Sequence, residues 1–432
     1  MNTVPILFAH CGLDWITGSE RCLLDLVENL DRRRFRPVVV CNGTTLAAAA
    51  EKLGAIVHCA PRFGQEHSHL LPDPVLVSEA RQIVRKHNIR LIHANDFQPI
   101  SWLLPVARSA GIPMVLHVHL PTTREERYFT WSHQVARIVG VGRTSLQGFL
   151  DDGLPPNRAT VIYNAVDPVR LSGGDPAKVR AELGLGDAVV LSAIGSLIWR
   201  KGHDILLRAF AQVRAAAPAG SPVRTRLLMV GDGPQRQEFE ALATSLGIAD
   251  TVHFLGRRTD VAAILAASDI AVSAAREEGL PLNVLEAGFF GLPTVLSDIA
   301  PHREIVEHGR TGLIAGLEDV PAFANALAQL LADPAFRQRL GQAAGEHIHS
   351  NFLIDRYIRE FSALYDELLE RPARSYGWFG GWVWPRAYNE WIRSAGQRRL
   401  ASVARAARTS ANRAARRTKG EPFTTNSPAA RG

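Results

Sequence analysis

The densest run of side chains that could do chemistry is Glu278-Gly-Leu-Pro-Leu-Asn-Val-Leu-Glu286, which follows the β-branched run Ile270–Ser273. Gly279 suits a tight turn and Pro281 the first turn of a helix. Glu278 is therefore expected in the loop before a helix, and Glu286 two turns inside it. The N–H groups at such a helix start, around Leu280 to Asn283, favour an anion. A carboxylate able to hold hydroxyl groups would then stand beside a phosphate site. The alternative is two surface glutamates around an ordinary helix cap.

A second run, Gly195-Ser-Leu-Ile-Trp-Arg200-Lys201-Gly202, lies between a strand and a helix that starts near His203. Arg and Lys at a helix start oppose its dipole, so a ligand anion such as a diphosphate explains them better than bare solvent does. Lys201 would neutralise leaving-group charge there. The chain has only five lysines against 44 arginines, which makes Lys201 the more informative cation. A third run, Val230-Gly231-Asp232-Gly233-Pro234, reads as a turn into a helix and lacks the GxGxxG spacing of a dinucleotide fingerprint. Near the N-terminus Thr17-Gly18-Ser19-Glu20 opens a helix, and His117-Val-His119 ends a strand. The two histidines are taken to point to opposite faces of that strand, so that one of them serves a cleft.

These residues need elements to hold them. Strand candidates are Val4–Ala9, Pro37–Cys41, Ala55–Cys59, Arg90–Ala94, Met114–Val118, Arg137–Val141 and Thr160–Tyr163 in the first part. In the second they are Ala188–Ile194, Arg226–Val230, Thr251–Phe254, Ile270–Ser273 and Thr294–Leu296. Helical segments such as Ser19–Leu30, Asp204–Ala216, Gln235–Leu246 and Val320–Leu331 lie between them. The alternation predicts parallel sheets with right-handed crossovers. Twelve strands exceed one comfortable sheet, and the pattern pauses at Asn164–Pro176. The expected architecture is α/β: two doubly wound, Rossmann-like domains facing a central cleft, where this fold class binds ligands. The expected bounds are 1–166, 167–350, a closing helix at 351–371 that packs back on the first domain, and a tail at 372–432.

Composition narrows the function classes. Of 432 residues, 46% are apolar and 21% charged, as in globular chains. The net charge of +7 is unevenly spread: +3 over residues 1–170, −7 over 171–370 and +11 over 371–432. A uniformly basic nucleic-acid binder is thereby set aside. Cys11, Cys22, Cys41 and Cys59 make no CxxC pair, consistent with buried thiols in a reducing compartment. No apolar run reaches the roughly 18 residues of a membrane helix, and residues 1–10 read as a strand, so the expected site of action is the cytoplasm.

In order and spacing these motifs resemble glycosyltransferase family 4, of GT-B architecture. The resemblance rests on Gly18-Ser-Glu20, His119, Tyr163-Asn-Ala-Val-Asp167, Gly195 to Gly202, Val230 to Pro234, Phe254-Leu-Gly256-Arg257 and Glu278 with seven residues before Glu286. Leu296-Ser-Asp298, Arg303-Glu304-Ile-Val and Gly309-Arg-Thr-Gly312 extend it. It covers about residues 5–370 and is more specific in the second half. The resemblance implies a nucleoside-diphosphate sugar as donor, held by the second domain. Lys201 would neutralise the diphosphate with Arg200 nearby, and Glu286 would hold the ribose hydroxyls. Glu278 would contact the donor sugar together with the segment Gly279, Leu280, Pro281 and Leu282 and the backbone amides at the helix start. Gly256 and Arg257 would lie by the base, His119 would face the reacting sugar, and Gly18 and Glu20 would form the acceptor-side loop. It also implies retention of anomeric configuration, with neither a metal nor a permanently bound cofactor; the absence of an Asp-x-Asp pair agrees. One departure stands out: Ser196 occupies the place after the glycine where the family usually has Arg.

The implied activity is transfer of a sugar from a nucleotide sugar to a glycan or lipid-linked acceptor, as in polysaccharide biosynthesis. Two alternatives stay open, a nucleotide-sugar epimerase of GT-B fold and an inactive sugar-nucleotide-binding scaffold. The tail holds Gly377-Trp-Phe-Gly-Gly-Trp-Val-Trp384 and then an Arg/Ala segment, with 13 basic residues against 2 acidic ones over 371–432. Aromatic residues beside arginines fit an anionic membrane surface better than RNA, which would place the protein peripherally at the inner face of a membrane.

Overall fold

A computed structural model of the chain describes residues 3–64, 72–216 and 224–371, together with Val383, Pro385, Tyr388, Asn389 and Trp391. Residues 1–383 form one compact unit and 384–432 a second. Most of the aromatic and basic tail therefore lies outside the described residues.

The first sheet contains β1 (Val4–His10), β2 (Phe35–Cys41), β3 (Ile56–Cys59), β4 (Leu91–Ala94), β5 (Met114–Val118), β6 (Arg137–Gly140) and β7 (Ala159–Val161). The second contains β8 (Val189–Ile194), β9 (Thr225–Val230), β10 (Val252–Gly256), β11 (Ile270–Ser273), β12 (Thr294–Ser297) and β13 (Leu313–Ala315). Every strand pairing is parallel. Helices cover both faces, so the strands read as near-continuous apolar runs. In β1, Val-Pro-Ile-Leu-Phe-Ala-His, every residue after Pro5 is buried.

All twelve expected strands form, two with the expected bounds and the others with ends shifted by one or two residues. A thirteenth, Leu313–Ala315, was not expected. Three residues are too short for a periodic signal, and this strand exists because it pairs with β12 along Val295 to Ser297. The Asn164–Pro176 pause also holds a short helix, Pro168–Leu171, started by Asp167, whose side chain accepts from the Val169 N–H.

Sheet order positions the site. The orders are β3-β2-β1-β4-β5-β6-β7 and β10-β9-β8-β11-β12-β13. Each reverses direction once, between β1 and β4 in the first sheet and between β8 and β11 in the second. Loops that leave the strand ends at such a reversal diverge and open a crevice. The helix Ile354–Glu370 then returns to the first sheet. Tyr357, Phe361 and Tyr365 join the buried cluster that holds Ile6 and Phe8, and backbone bonds pin the crossing, Val166 N–H to Phe352 O at 2.8 Å and Ile354 N–H to Val166 O at 2.9 Å.

Candidate active site

The loops that follow β8 and β11, at the reversal of the second sheet, carry Lys201 and Glu278. Gly202 brings them together. It has φ +64°, and a Cβ there would stand 1.9 Å from the Ala274 carbonyl oxygen, so only glycine lets the two loops touch. Glu278 is 5% exposed. Its Oε2 accepts from Arg200 Nη1 at 3.0 Å, and its Oε1 pairs with Lys201 Nζ. Burial alone would push this carboxyl up. Lys201 and Arg200 outweigh that and hold it below the usual carboxylate range. Glu278 is thus an anion at neutral pH with two cations on it. Arg200 also donates to the Glu277 carbonyl at 2.7 Å. His203 donates toward the Ser196 carbonyl at 3.1 Å, and burial lowers its pKa to about 4, so it adds no charge.

The helix Leu282–Phe289 starts one residue later than expected. Pro281 is its cap rather than its first residue, and Glu286 lies a little over one turn inside. Among the described residues the N–H groups of Gly279, Leu280, Leu282 and Asn283 have no acceptor, which leaves the donor set of a helix start available to an anion. Gly279 is not there for a left-handed turn. A Cβ on it would stand 1.8 Å from the His119 carbonyl oxygen and 3.0 Å from Val141 Cγ2. The glycine allows the Glu278 loop to meet the end of β5 across the cleft.

Glu286 is 8% exposed, and its Oε1 accepts from Arg170 Nη1 at 2.9 Å. Arg170 comes from the Pro168–Leu171 helix and also approaches the buried Asp25 of the first half, Nε to Oδ1 at 3.9 Å. Gly256 closes a second meeting of loops, its carbonyl accepting from the Gly231 N–H at 2.9 Å. Arg257 is exposed and stacks its guanidinium 4.5 Å from the centroid of Trp15, in the loop after β1.

On the first-sheet side, His119 follows β5 and is half-buried. His117 and His119 do not point to opposite faces as expected. Residues two apart on a strand share a face, and their rings stand 4.3 Å apart. What separates them is depth: His117 is fully buried beside Tyr357 and Phe361. Gly18 is exposed at the start of the helix Gly18–Asn29. Glu20 turns inward, where it accepts from the Thr17 N–H at 2.9 Å as a capping box and pairs with His10 at 2.7 Å.

Several residues here had no role assigned from the sequence. Asn164 Nδ2 donates to the Leu280 carbonyl at 2.8 Å, tying the hinge to the Glu278 loop. Glu304 accepts from the Arg143 N–H at 3.0 and 3.1 Å, capping a first-half helix from the second half. Arg170, Asn95 and His10 are of the same kind. Only Tyr163-Asn164 and Arg303-Glu304 fell within noted motifs, without a role.

Two facing Rossmann-like domains, with cations, carboxylates and free helix-start amides at a switch point, are the GT-B architecture. Residues 16–170 match the family described as Glycosyltransferase Family 4, and residues 177–347 match Glycosyl transferases group 1. The chain belongs to this family of glycosyltransferases. It is 29% identical over 299 residues to a GDP-mannose-dependent alpha-(1-6)-phosphatidylinositol monomannoside mannosyltransferase of Mycolicibacterium smegmatis, covering 64% of this chain and 76% of the relative. It is 34% identical over 229 residues to a D-inositol 3-phosphate glycosyltransferase of Stackebrandtia nassauensis, covering 51% of each chain. Thus it spans about half the length of some of the relatives it matches. The Anabaena protein HepE, solved in complex with UDP and glucose, shares the fold, with a TM-score of 0.73 at 22% identity over 84% of this chain and all of its own.

Proposed function

We propose that this glycosyltransferase moves a hexose from a nucleoside-diphosphate sugar to a glycan or lipid-linked acceptor, with retention at the anomeric carbon. The observation that carries the reading is the buried Glu278 carboxylate held by Lys201 and Arg200 beside unpaired helix-start amides. That set matches a donor with a diphosphate at one end and hydroxyls at the other. On diphosphate binding, Lys201 and Arg200 exchange the carboxylate for the phosphates, which frees Glu278 to orient sugar hydroxyls. Glu278 positions and stabilises; it is not assigned as a covalent nucleophile. Glu286 takes the ribose hydroxyls, and Gly256 and Arg257 lie beside the base. Approach of the two halves excludes water from the reacting bond. The reaction needs no resident cofactor and no metal on this reading, since Lys201 and the amides supply the leaving-group charge.

The site of action would be the cytoplasm, at the inner face of a membrane when the acceptor is lipid-linked, with the basic tail as the docking segment. Among the described residues no helix is long and apolar enough to cross a membrane. One matched relative is named for GDP-mannose and HepE was solved with UDP and with UDP-glucose, so the donor is found by a thermal-shift panel that includes GDP-mannose and UDP-glucose. A ligand at 100 times its Kd adds roughly 2.7 kcal/mol. With that donor, Glu278→Gln and Lys201→Ala are expected to abolish nucleoside-diphosphate release while both variants keep a cooperative melt. Full turnover by both would overturn the assignment.

A further inference from the structure

The first sheet holds a buried polar layer directly beneath His119, and it sits at that sheet's own reversal point. His10 ends β1, and Asn95 and Asp96 follow β4, its neighbour across the reversal. Asn95 is fully buried. Its N–H donates to the Ala9 carbonyl at 2.8 Å, which fixes its backbone. Its side-chain Nδ2 donates to the Ser19 carbonyl at 3.0 Å. A carbonyl can only accept, so the amide nitrogen must face Ser19 and the amide oxygen must face the other way. That oxygen stands 3.1 Å from His119 Nε2. Nε2 therefore carries a proton and donates it.

His10 secures the rest. Its Nε2 stands 2.7 Å from Glu20 Oε1 and its Nδ1 3.1 Å from Asp96 Oδ2. Burial disfavours its charge, but these two carboxylates overcome that and raise its pKa to about 10. His10 is thus held toward its charged form behind His119, with Asn95 Nδ2 3.1 Å from its Nδ1. His119 itself faces His117 on its own strand, His10 on β1 and Glu20 on the first helix. Burial, then His117 and His10, hold its pKa well below that of a free imidazole, against the opposite pull of Glu20. A neutral imidazole with its proton on Nε2 has a lone pair on Nδ1. That Nδ1 has no partner among the described residues and is not sealed from solvent.

We propose that Asn95 is a positioning residue that fixes His119 as a hydrogen-bond acceptor at Nδ1, so that the group of the donor sugar that meets it is a hydroxyl acting as donor. This rests on the sugar-transfer reading of the cleft. It excludes the opposite arrangement, in which a cationic or Nδ1-protonated His119 donates to a sugar oxygen.

Two measurements test it. In full-length protein with ¹⁵N-labelled histidine, the His119 ring, assigned by its loss in His119→Gln, should give the pattern of a neutral Nε2–H tautomer between pH 6 and 8. An Nδ1–H tautomer or a titration in that range overturns the proposal. The second is Asn95→Asp, which places a carboxylate against the same proton and raises the His119 pKa. Wild-type kcat/KM should show no His119 limb between pH 6 and 8. The variant should lose about tenfold per pH unit below a new midpoint, because protonation removes the acceptor. A variant profile parallel to wild type overturns the proposal. Failure of the underlying reading is seen separately, as a wild-type protein that releases no nucleoside diphosphate while its ring tautomer is still measurable.

Discussion

Gly279→Ala isolates the contact between the Glu278 loop and the end of β5. The added Cβ would stand 1.8 Å from the His119 carbonyl oxygen and 2.7 Å from the carbonyl carbon. Real Cβ atoms do not approach a neighbour closer than 3.0 Å, so about 1.2 Å must open between the two. Both sides are backbone, one at a strand end and one at a helix start, and no flexible side chain can give way. Gly279 has no left-handed φ, so alanine brings no conformational penalty of its own. The gap then opens between the two halves. A misplacement of about 1 Å costs roughly 10²-fold in rate, and overpacking costs about 1–3 kcal/mol of stability. The assay is nucleoside-diphosphate release with the donor chosen by thermal shift. kcat/KM should fall about 10²-fold, while donor binding, proposed above to rest on Lys201 and Glu286 in one half, changes only several-fold. Gly345→Ala is the control: it lies in the helix Pro334–Asn351, the nearest atom to its Cβ is 3.5 Å away, and it should leave turnover intact and add up to about 1 kcal/mol. Turnover of Gly279→Ala within threefold of wild type, in a folded protein, would refute the reasoning.

Asp25 offers a pH test. It is buried, its Oδ1 has no hydrogen-bond partner, and burial raises its pKa to about 7 despite Arg170 and Arg21 at 3.9 and 3.8 Å. A folded pKa above the unfolded value means that the folded state binds this proton more tightly. The contribution of Asp25 to stability is therefore full below pH 4 and is lost as pH rises through about 7. Asp25→Asn should gain on wild type by on the order of 2–4 kcal/mol between pH 5 and pH 8 in urea melts; a constant difference would contradict this. For the tail, full-length protein should float with anionic liposomes and a chain ending at Glu370 should not. Equal flotation would reject the membrane role.

The local parts of this protein were legible in its sequence. Strands such as Met114–Val118 and Ile270–Ser273 have the expected bounds, because an apolar run closed by turn residues is a local signal. The Glu278 to Glu286 and Gly195 to Gly202 runs were legible for the same reason, since a strand end, a turn and a helix start lie within ten residues of one another. Local reasoning reached its limit at Leu313–Ala315, which is a strand only through its partner, and at Gly279, whose lack of a Cβ answers to a carbonyl 160 positions earlier in the chain.

By itself, then, the sequence determined the two doubly wound halves, the family and the charged residues that the loops after β8 and β11 carry. Only the tertiary structure decided what those residues face. Arg170 meets Glu286, Asn95 turns its oxygen to His119, and Glu304 caps a helix of the other half. Each of these is a hydrogen bond between elements far apart in the chain. Its geometry depends on strand order and on the packing of the two halves, and neither leaves a periodic trace in the residues that make it.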